Sequence, residues 1–347
     1  MQRLTILSLL SVSFLCGPAD ARSAEPVKVF ILSGQSNMEG KAKVSLLEYQ
    51  LTQPETKPLF AHFQREGRWV ERDDVWIKFL NRKGPLTVGY GSRDRIGPEL
   101  QFGWTMGDHF DEPVLIIKTA WGGKSLFRDF RSPSAGLPSE EKLKAELEQV
   151  RRRDPQTTME QVKQRYGHYY RETLREVRET LDKLPQLFPD YQGQGYELAG
   201  FVWFQGWNDM INEQATAEYA ENMANFIRDV RQDLKSPALP FVIGQFGVGG
   251  VSEKPNAKHV KFKEAQAAPA KLPEFKDNVA VVKTDELWDQ EADAVFKKGW
   301  KQHLEEWNKV GSDYPFHYLG SAKFHVRAGR AFADAVLKLE EGAKSSD

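Results

Sequence analysis

The sequence VFILSGQSNMEG, residues 29–40, is the strongest indication of the fold. An apolar run ends there in a turn that carries glycine, and Ser36 stands on that turn. Open α/β sheets bind their ligands just beyond the carboxyl ends of their strands. The stretch therefore predicts a buried strand that delivers a serine side chain to the functional edge of a parallel sheet.

Other apolar runs repeat this pattern along the chain. We predict strands at residues 27–33, 75–80, 113–120, 198–205, 239–245 and 279–283. Continuous apolar runs without polar alternation are typical of strands that helices cover on both faces. The runs therefore predict a parallel sheet in the interior of the protein.

Amphipathic segments between these runs predict helices at residues 98–110, 140–152, 159–184, 216–234 and 326–339. Pro98 favours a helix start, Thr216 is a candidate N-cap, and Pro185 should end the long third helix. Strands and helices in repeated alternation predict a doubly wound parallel sheet. Because the chain has no linker-like or repeated segment, a single domain over residues 25–347 is the simpler prediction.

Two segments, near residues 41–97 and 124–190, are longer than a connection between successive strands of such a sheet requires. The first is polar and rich in glycine, proline and aromatic residues, and the second adds charged helices. Both leave from strand ends that should carry the site. They are expected either to wall that site or to decorate the periphery.

Composition narrows the classes of function. The 347 residues contain 48 basic and 49 acidic side chains, so no electrostatic argument favours nucleic acid or an anionic membrane as a partner. The N-terminus has Arg3, an apolar stretch at residues 4–16 and the small-residue cleavage pattern Ala19-Asp20-Ala21. This order predicts a secretory signal over residues 1–24 and a periplasmic or extracellular mature protein.

A membrane anchor is disfavoured because the apolar stretch is shorter than the roughly 20 residues that a membrane-spanning helix needs. Cys16 is the only cysteine and would be removed with the signal. The mature chain is therefore expected to have no disulfide, no thiol nucleophile and no cysteine-based metal site.

Ser36 has two interpretations. A serine hydroxyl becomes a nucleophile when a base takes its proton, and a serine N–H at a strand-to-helix turn can help to hold an oxyanion. The alternative is that Ser36 only caps the helix that follows.

Two later motifs supply candidate hydrogen-bond donors after predicted strands. Gly122-Gly123 lets the backbone approach a ligand closely, and its alternative is a plain turn. In Gly206-Trp207-Asn208-Asp209, the amide of Asn208 can point at developing negative charge. Asp209 would cap the next helix or hold the loop.

The last motif is Asp313 followed four residues later by His317. Histidine is the usual base near neutral pH, and a nearby carboxylate can orient its ring. The alternative for His317 is a purely structural role. Four such signals in one chain favour catalysis by a serine.

These motifs resemble the four sequence blocks of the SGNH (GDSL-like) hydrolase superfamily. GQSNM, residues 34–38, is most similar to the sialate O-acetylesterase and carbohydrate acetylesterase branch. The resemblance implies a flavodoxin-like three-layer α/β/α fold with about five parallel strands. It implies Ser36 as nucleophile, His317 as base, and removal of O-acetyl groups from a sugar or polysaccharide without a metal or cofactor.

The oxyanion donors that the resemblance implies are the N–H of Ser36, the N–H of Gly123, with Gly122 as the other choice, and the Asn208 side chain. The expected substrate contacts stand beside these motifs: Gln35, Trp121, Phe127, Gln205 and Trp207.

The chain departs from the usual pattern at two points. The superfamily spaces its acid and base as Asp-x-x-His, whereas here one more residue separates Asp313 from His317. Either a local turn lets Asp313 reach His317, or a Ser–His dyad operates. The third block carries the wider superfamily's Gly-x-Asn where many acetylesterases of this branch have Gly-Glu, which weakens the analogy with the substrate of the sialate esterases. The alternatives to an acetylesterase are a non-catalytic carbohydrate-binding protein on the same scaffold and an esterase of different acyl preference.

Overall fold

The computed structural model describes residues 25–344. The predicted secretory signal, with Cys16, lies outside the described residues. Strands within the described part are β1 Val27–Gly34, β2 Ala42–Lys43, β3 Gln64–Arg65, β4 Arg68–Trp69, β5 Arg72–Phe79, β6 Arg82–Leu86, β7 Arg95–Ile96, β8 Val114–Ala120, β9 Tyr196–Phe204, β10 Phe241–Gln245 and β11 Val279–Lys283.

Helices of the described part fall into two groups along the chain. The first group comprises α1 Ser36–Glu39, α2 Val44–Leu51, α3 Lys57–Phe60, α4 Glu99–His109, α5 Glu140–Arg151, α6 Met159–Arg165, α7 His168–Asp182 and α8 Leu184–Leu187. The second comprises α9 Trp207–Met210, α10 Glu213–Asp233, α11 Ala257–Ala267, α12 Gln290–Lys297, α13 Leu304–Val310 and α14 Ala322–Lys344. None of these helices is both long and apolar enough to cross a membrane.

Seven strands form the central sheet in the order β11-β10-β9-β1-β8-β5-β6. All neighbours are parallel except β5 and β6, which pair antiparallel. Taken alone, β8-β1-β9-β10-β11 have the flavodoxin order 2-1-3-4-5. The sheet therefore confirms the α/β/α prediction. The segment at residues 41–97 contributes β5 and β6, which extend the sheet beyond β8.

Strand β1 lies in the middle because both of its faces are apolar. Val29 and Ile31 belong to the core that packs against α7 and α10, whereas Phe30 and Leu32 belong to the core against α4 and α14. Alternate side chains of a strand point to opposite faces, so one apolar run fills both cores. This packing places the end of β1, and the serine after it, at the centre of the sheet edge.

Three local predictions were wrong. The helix predicted over residues 159–184 is broken into α6 and α7, because Gly167 has a φ of +68° and a Cβ there would lie 2.4 Å from the carbonyl oxygen of Arg131. Thr216 lies inside α10, whose cap is Asn212. Strand β5 begins at Arg72, three residues earlier than predicted, where its pairing with β6 begins.

Candidate active site

Ser36 is the first residue of the one-turn helix α1, directly after β1. The chain turns tightly here because β1 and β9 approach closely, and a Cβ on Gly34 would lie 2.1 Å from the carbonyl oxygen of Phe204. Gln35 N–H donates to that same oxygen at 3.3 Å. Ser36 is 5% exposed, and its hydroxyl makes no hydrogen bond within residues 25–344. The hydroxyl is therefore available to a base.

Asp313 and His317 form a hydrogen-bonded pair, with 2.9 Å between the Asp313 Oδ1 and His317 Nδ1 atoms. Burial acts to raise the pKa of Asp313, but the bond from His317, the Tyr314 N–H and the charge of Arg95 together lower it. Asp313 is thus held as a carboxylate. Since Nδ1 is occupied and Nε2 makes no hydrogen bond within the described residues, Nε2 is the nitrogen that can accept a proton.

The longer spacing between Asp313 and His317 is accommodated by a turn, in which His317 N–H donates to the carbonyl oxygen of Tyr314 at 2.9 Å. Directly after His317, Tyr318 and Leu319 have φ values of +50° and +62°, a left-handed conformation that costs energy for such side chains. The Tyr318 hydroxyl lies 2.8 Å from Thr284 Oγ1 and accepts from Gly247 N–H at 2.9 Å. These buried contacts hold the strained loop that follows the histidine.

One hydrogen bond connects the serine turn to the histidine loop. Asn37 Nδ2 donates to the carbonyl oxygen of Phe316 at 3.1 Å. Asn37 follows Ser36 and Phe316 precedes His317, so this bond brings together the two segments that a serine–histidine pair needs. No sequence motif had indicated a role for Asn37.

Asn208 and Gly122 lie beside the serine turn, with Gly123 next in the chain. Asn208 Oδ1 accepts from Gln35 Nε2 at 3.2 Å, while its Nδ2 makes no hydrogen bond within the described chain. A Cβ on Gly122 would lie 3.7 Å from the Cβ of Ser36. Gly123, with a φ of +71°, faces open space and lines a cleft of about 930 Å³ together with Asn208. Both glycines therefore remain candidate donors.

The predicted substrate contacts divide into two groups. Gln35 and Gln205 are 2% and 4% exposed, and Gln35 Oε1 accepts from Gln205 Nε2 and from Gly206 N–H. These amides stabilise the turns from inside. Trp121 and Trp207 are partly exposed: Trp121 packs on Tyr169 and Trp207 on Phe316.

Asp209 holds the loop that follows Gly122-Gly123. Of the two roles predicted for it, a helix cap and a loop anchor, this is the second. It is fully buried and accepts from Leu126 N–H at 2.9 Å, Phe127 N–H at 2.8 Å and Gln205 Nε2 at 2.5 Å. Burial raises the pKa of Asp209 to about 6 and outweighs these three donors. The carboxyl thus connects the second and third motifs.

This raised pKa predicts a pH-dependent stability. Between about pH 4 and pH 6 the unfolded chain releases the Asp209 proton while the folded chain keeps it, so stability should fall as the pH rises through this window. The loss should be on the order of 3 kcal/mol. Urea unfolding at pH 4 and pH 7 should give a larger loss for wild type than for Asp209→Asn. Parallel pH curves for the two proteins would contradict the prediction.

A buried ion pair lies beneath the serine helix. Lys118 Nζ donates to Glu99 Oε2 at 2.7 Å, to the carbonyl oxygen of Glu39 at 2.8 Å and to that of Tyr90 at 2.9 Å. Burial lowers the pKa of Lys118, and the charge of Glu99 opposes this shift. Because Glu39 ends α1, Lys118 anchors the helix that carries Ser36. In the sequence, this buried ion pair is indicated by a lysine inside the otherwise apolar run at residues 113–120.

The fold and the motifs together define the class of the protein. A three-layer α/β/α fold that carries these four motifs at one edge of its sheet is that of an SGNH hydrolase. The family model "Carbohydrate esterase, sialic acid-specific acetylesterase" matches residues 26–306, and the chain belongs to this family. The match ends before Asp313 and His317. Family membership supports an esterase activity on carbohydrates.

Individual relatives are distant. The Arabidopsis thaliana protein named "Probable carbohydrate esterase At4g34215" is 21% identical over 238 residues, which cover 65% of this chain and 71% of the relative. The solved structure of that Arabidopsis protein has a TM-score of 0.52 at 18% identity and covers 90% of this chain and 98% of its own. A carbohydrate acetylesterase from Xanthomonas citri has a TM-score of 0.49 at 15% identity, covering 91% of this chain and 57% of its own. The Arabidopsis structure supports the fold.

Proposed function

We propose that the protein removes O-acetyl groups from a carbohydrate through an acyl-enzyme mechanism. Ser36 is the nucleophile, His317 the base, and Asp313 the carboxylate that orients the histidine ring. The bond between Asn37 and the carbonyl of Phe316 carries the proposal, because it ties the serine turn to the loop that holds the Asp313–His317 pair. The predicted signal over residues 1–24 supports action outside the cytoplasm.

In this mechanism His317 Nε2 takes the Ser36 proton as Ser36 Oγ attacks the acetyl carbonyl. The oxyanion accepts hydrogen bonds from Ser36 N–H, from Gly123 or Gly122 N–H, and from Asn208 Nδ2. The imidazolium, stabilised by Asp313, then gives its proton to the sugar oxygen as the bond between that oxygen and the acetyl carbon breaks, which leaves a free sugar hydroxyl and acetyl-Ser36. Water activated by His317 releases acetate and restores Ser36.

The carbohydrate is proposed to lie in the 930 Å³ cleft, whose volume is near the upper end for ligand sites. Gly123 and Asn208 stand on one side, and much of the other wall comes from α5 and the residues around α6. The segment at residues 124–190 thus walls the site in this proposal. A polar, open cleft of this size suits a substrate of several sugar units.

Acetate release tests the proposal. The wild-type protein should release acetate from acetylated xylan or hydrolyse p-nitrophenyl acetate, and a serine-reactive organophosphonate should stop both reactions. Folded protein that hydrolyses neither ester and takes up no phosphonate would instead support a non-catalytic carbohydrate-binding protein.

Asn208→Ala refines the same assay. Loss of one oxyanion donor costs about 10²–10³ in kcat, so this variant should fall by that amount with an unchanged thermal midpoint. Asn225→Ala is the matched control, because Asn225 lies on α10, its side chain bonds Arg228, and it does not line the cleft. Equal rates for wild type and Asn208→Ala would remove Asn208 from the oxyanion site.

A further inference from the structure

A second, smaller pocket lies on the side of Asp313 that faces β2 and β7. Its volume is about 360 Å³, at the small end for ligand sites. Besides Asp313, the pocket is lined by basic, aromatic and amide side chains that could contact a ligand: Lys43, Arg95, Trp300, Trp307, Asn308 and Tyr314. Two of these six act on Asp313, Arg95 through its charge and Tyr314 through its backbone N–H, and the other four have no part in the mechanism above.

Two cations stand opposite each other in this pocket. Lys43 of β2 pairs directly with Arg95 of β7 in an antiparallel ladder, so both side chains leave the same face of the ribbon. Like charges at directly opposed positions destabilise a strand pair. This short ribbon therefore contains an unfavourable arrangement that an anion between the two cations would relieve.

Each of the two cations keeps an unpaired donor within residues 25–344. The exposed Lys43 Nζ has no hydrogen-bond or ion-pair partner there, and Arg95 Nε is buried without a partner although Nη2 of the same side chain pairs with Asp313. The nearest acid is Asp313, whose Oδ2 lies 3.7 Å from Arg95 Nη2. Its other oxygen already accepts from His317. The lining thus carries two positive charges against one carboxylate, and that carboxylate is engaged elsewhere.

Aromatic rings form the rest of the wall. Trp300 packs edge-to-face with Tyr314 at 5.9 Å between ring centroids and lies 5.7 Å from Trp307. Tyr314 is 48% exposed, and Asn308 adds an amide. Apolar ring faces suit the CH face of a sugar, and paired cations suit a carboxylate. Both features occur together in a carboxylated sugar of the hexuronic acid type.

We propose that this pocket binds a carboxylated sugar unit, with Lys43 and Arg95 on the carboxylate and Trp300 and Tyr314 against the ring. The site goes beyond the proposed function, because Ser36 does not line this pocket and the sugar unit proposed here is not the one that carries the ester. It rests on the carbohydrate chemistry of the family and on the geometry of this pocket, whether or not Ser36 is the nucleophile.

Calorimetric titration of the full chain with trigalacturonate tests the site, since this probe carries no ester and its binding does not depend on turnover. Wild type should bind trigalacturonate, and bind neutral xylotriose more weakly. Lys43→Gln should raise the Kd for trigalacturonate about tenfold, the effect of one lost charge-assisted contact. Lys276→Gln, which removes an exposed lysine far from the pocket in the chain, should leave the Kd unchanged.

Three results would overturn the proposal: no binding of trigalacturonate by folded wild type, equal affinity for xylotriose, or an unchanged Kd in Lys43→Gln. The large cleft provides a further control, because Lys142 lines it and has no acidic partner within the described residues. A Kd that rises in Lys142→Gln but not in Lys43→Gln would assign the binding to the cleft and reject the pocket.

Discussion

Ser36→Ala should lower kcat/KM for p-nitrophenyl acetate by about 10⁴ to 10⁶. The variant keeps the backbone N–H of the turn but loses the only atom of this residue that can attack the carbonyl. Ser36 is nearly buried and its hydroxyl bonds no residue of the described chain, so the substitution should leave the thermal midpoint almost unchanged. Steady-state kinetics with a melting curve on the same sample check both expectations.

Ser33→Ala is the matched control for this experiment. Ser33 lies in β1, three residues before Ser36, and its buried hydroxyl has no hydrogen-bond partner within residues 25–344. Its loss should change kcat/KM by no more than about threefold, since neither the site nor a satisfied hydrogen bond is touched. Retained activity in Ser36→Ala would mean that another residue is the nucleophile, with Ser125 beside the glycine pair as the next to test.

Lys118→Met should destabilise the protein by about 3–5 kcal/mol. Lys118 and Glu99 are 0% exposed, and removing the cation leaves a buried carboxylate without its charge partner. The substitution also leaves the carbonyl oxygens of Glu39 and Tyr90 without their donor. Urea unfolding monitored by circular dichroism gives the free energy of unfolding, and an unchanged m-value would show that the denatured state is the same.

The double variant Lys118→Met/Glu99→Gln separates the charge from the packing. Removing both charges eliminates the uncompensated carboxylate, so the double variant should be more stable than Lys118→Met alone, and the coupling between the sites should exceed about 1 kcal/mol. Lys309→Met, which breaks an exposed pair with Glu305, should leave the unfolding midpoint in place. A loss no larger than that of Lys309→Met would show that the buried pair contributes no net stability.

Because Lys118 also donates to the carbonyl oxygen of Glu39, its removal should disturb the position of helix α1 and Ser36 as well as the core. Helix α1 is a single turn, and so short a helix is not stable without tertiary contacts. The bond from Lys118 is one of those contacts, and the bond from Asn37 to the histidine loop is another. The reactive serine is therefore positioned by residues distant in the sequence.

Local sequence patterns are enough to predict the class of fold and the residue types at the sheet edge. Uninterrupted apolar runs predict strands covered on both faces, and glycine at the end of the first run predicts the tight turn before Ser36. These features are local, since a few adjacent residues are enough to fix them. For the same reason β8, β9, β10 and β11 lie close to where the apolar runs predicted them.

Which of these residues contact each other depends on the tertiary fold. Asn37 and Phe316 are 279 positions apart, and Gln35 and Asn208 are 173 apart, so no local pattern connects them. The break at Gly167 comes from a carbonyl on a distant loop, and the two glutamines face inward because their partners lie on other turns. Apolar periodicity shows that a residue is buried, but the contacts of a buried polar group depend on where the rest of the chain passes.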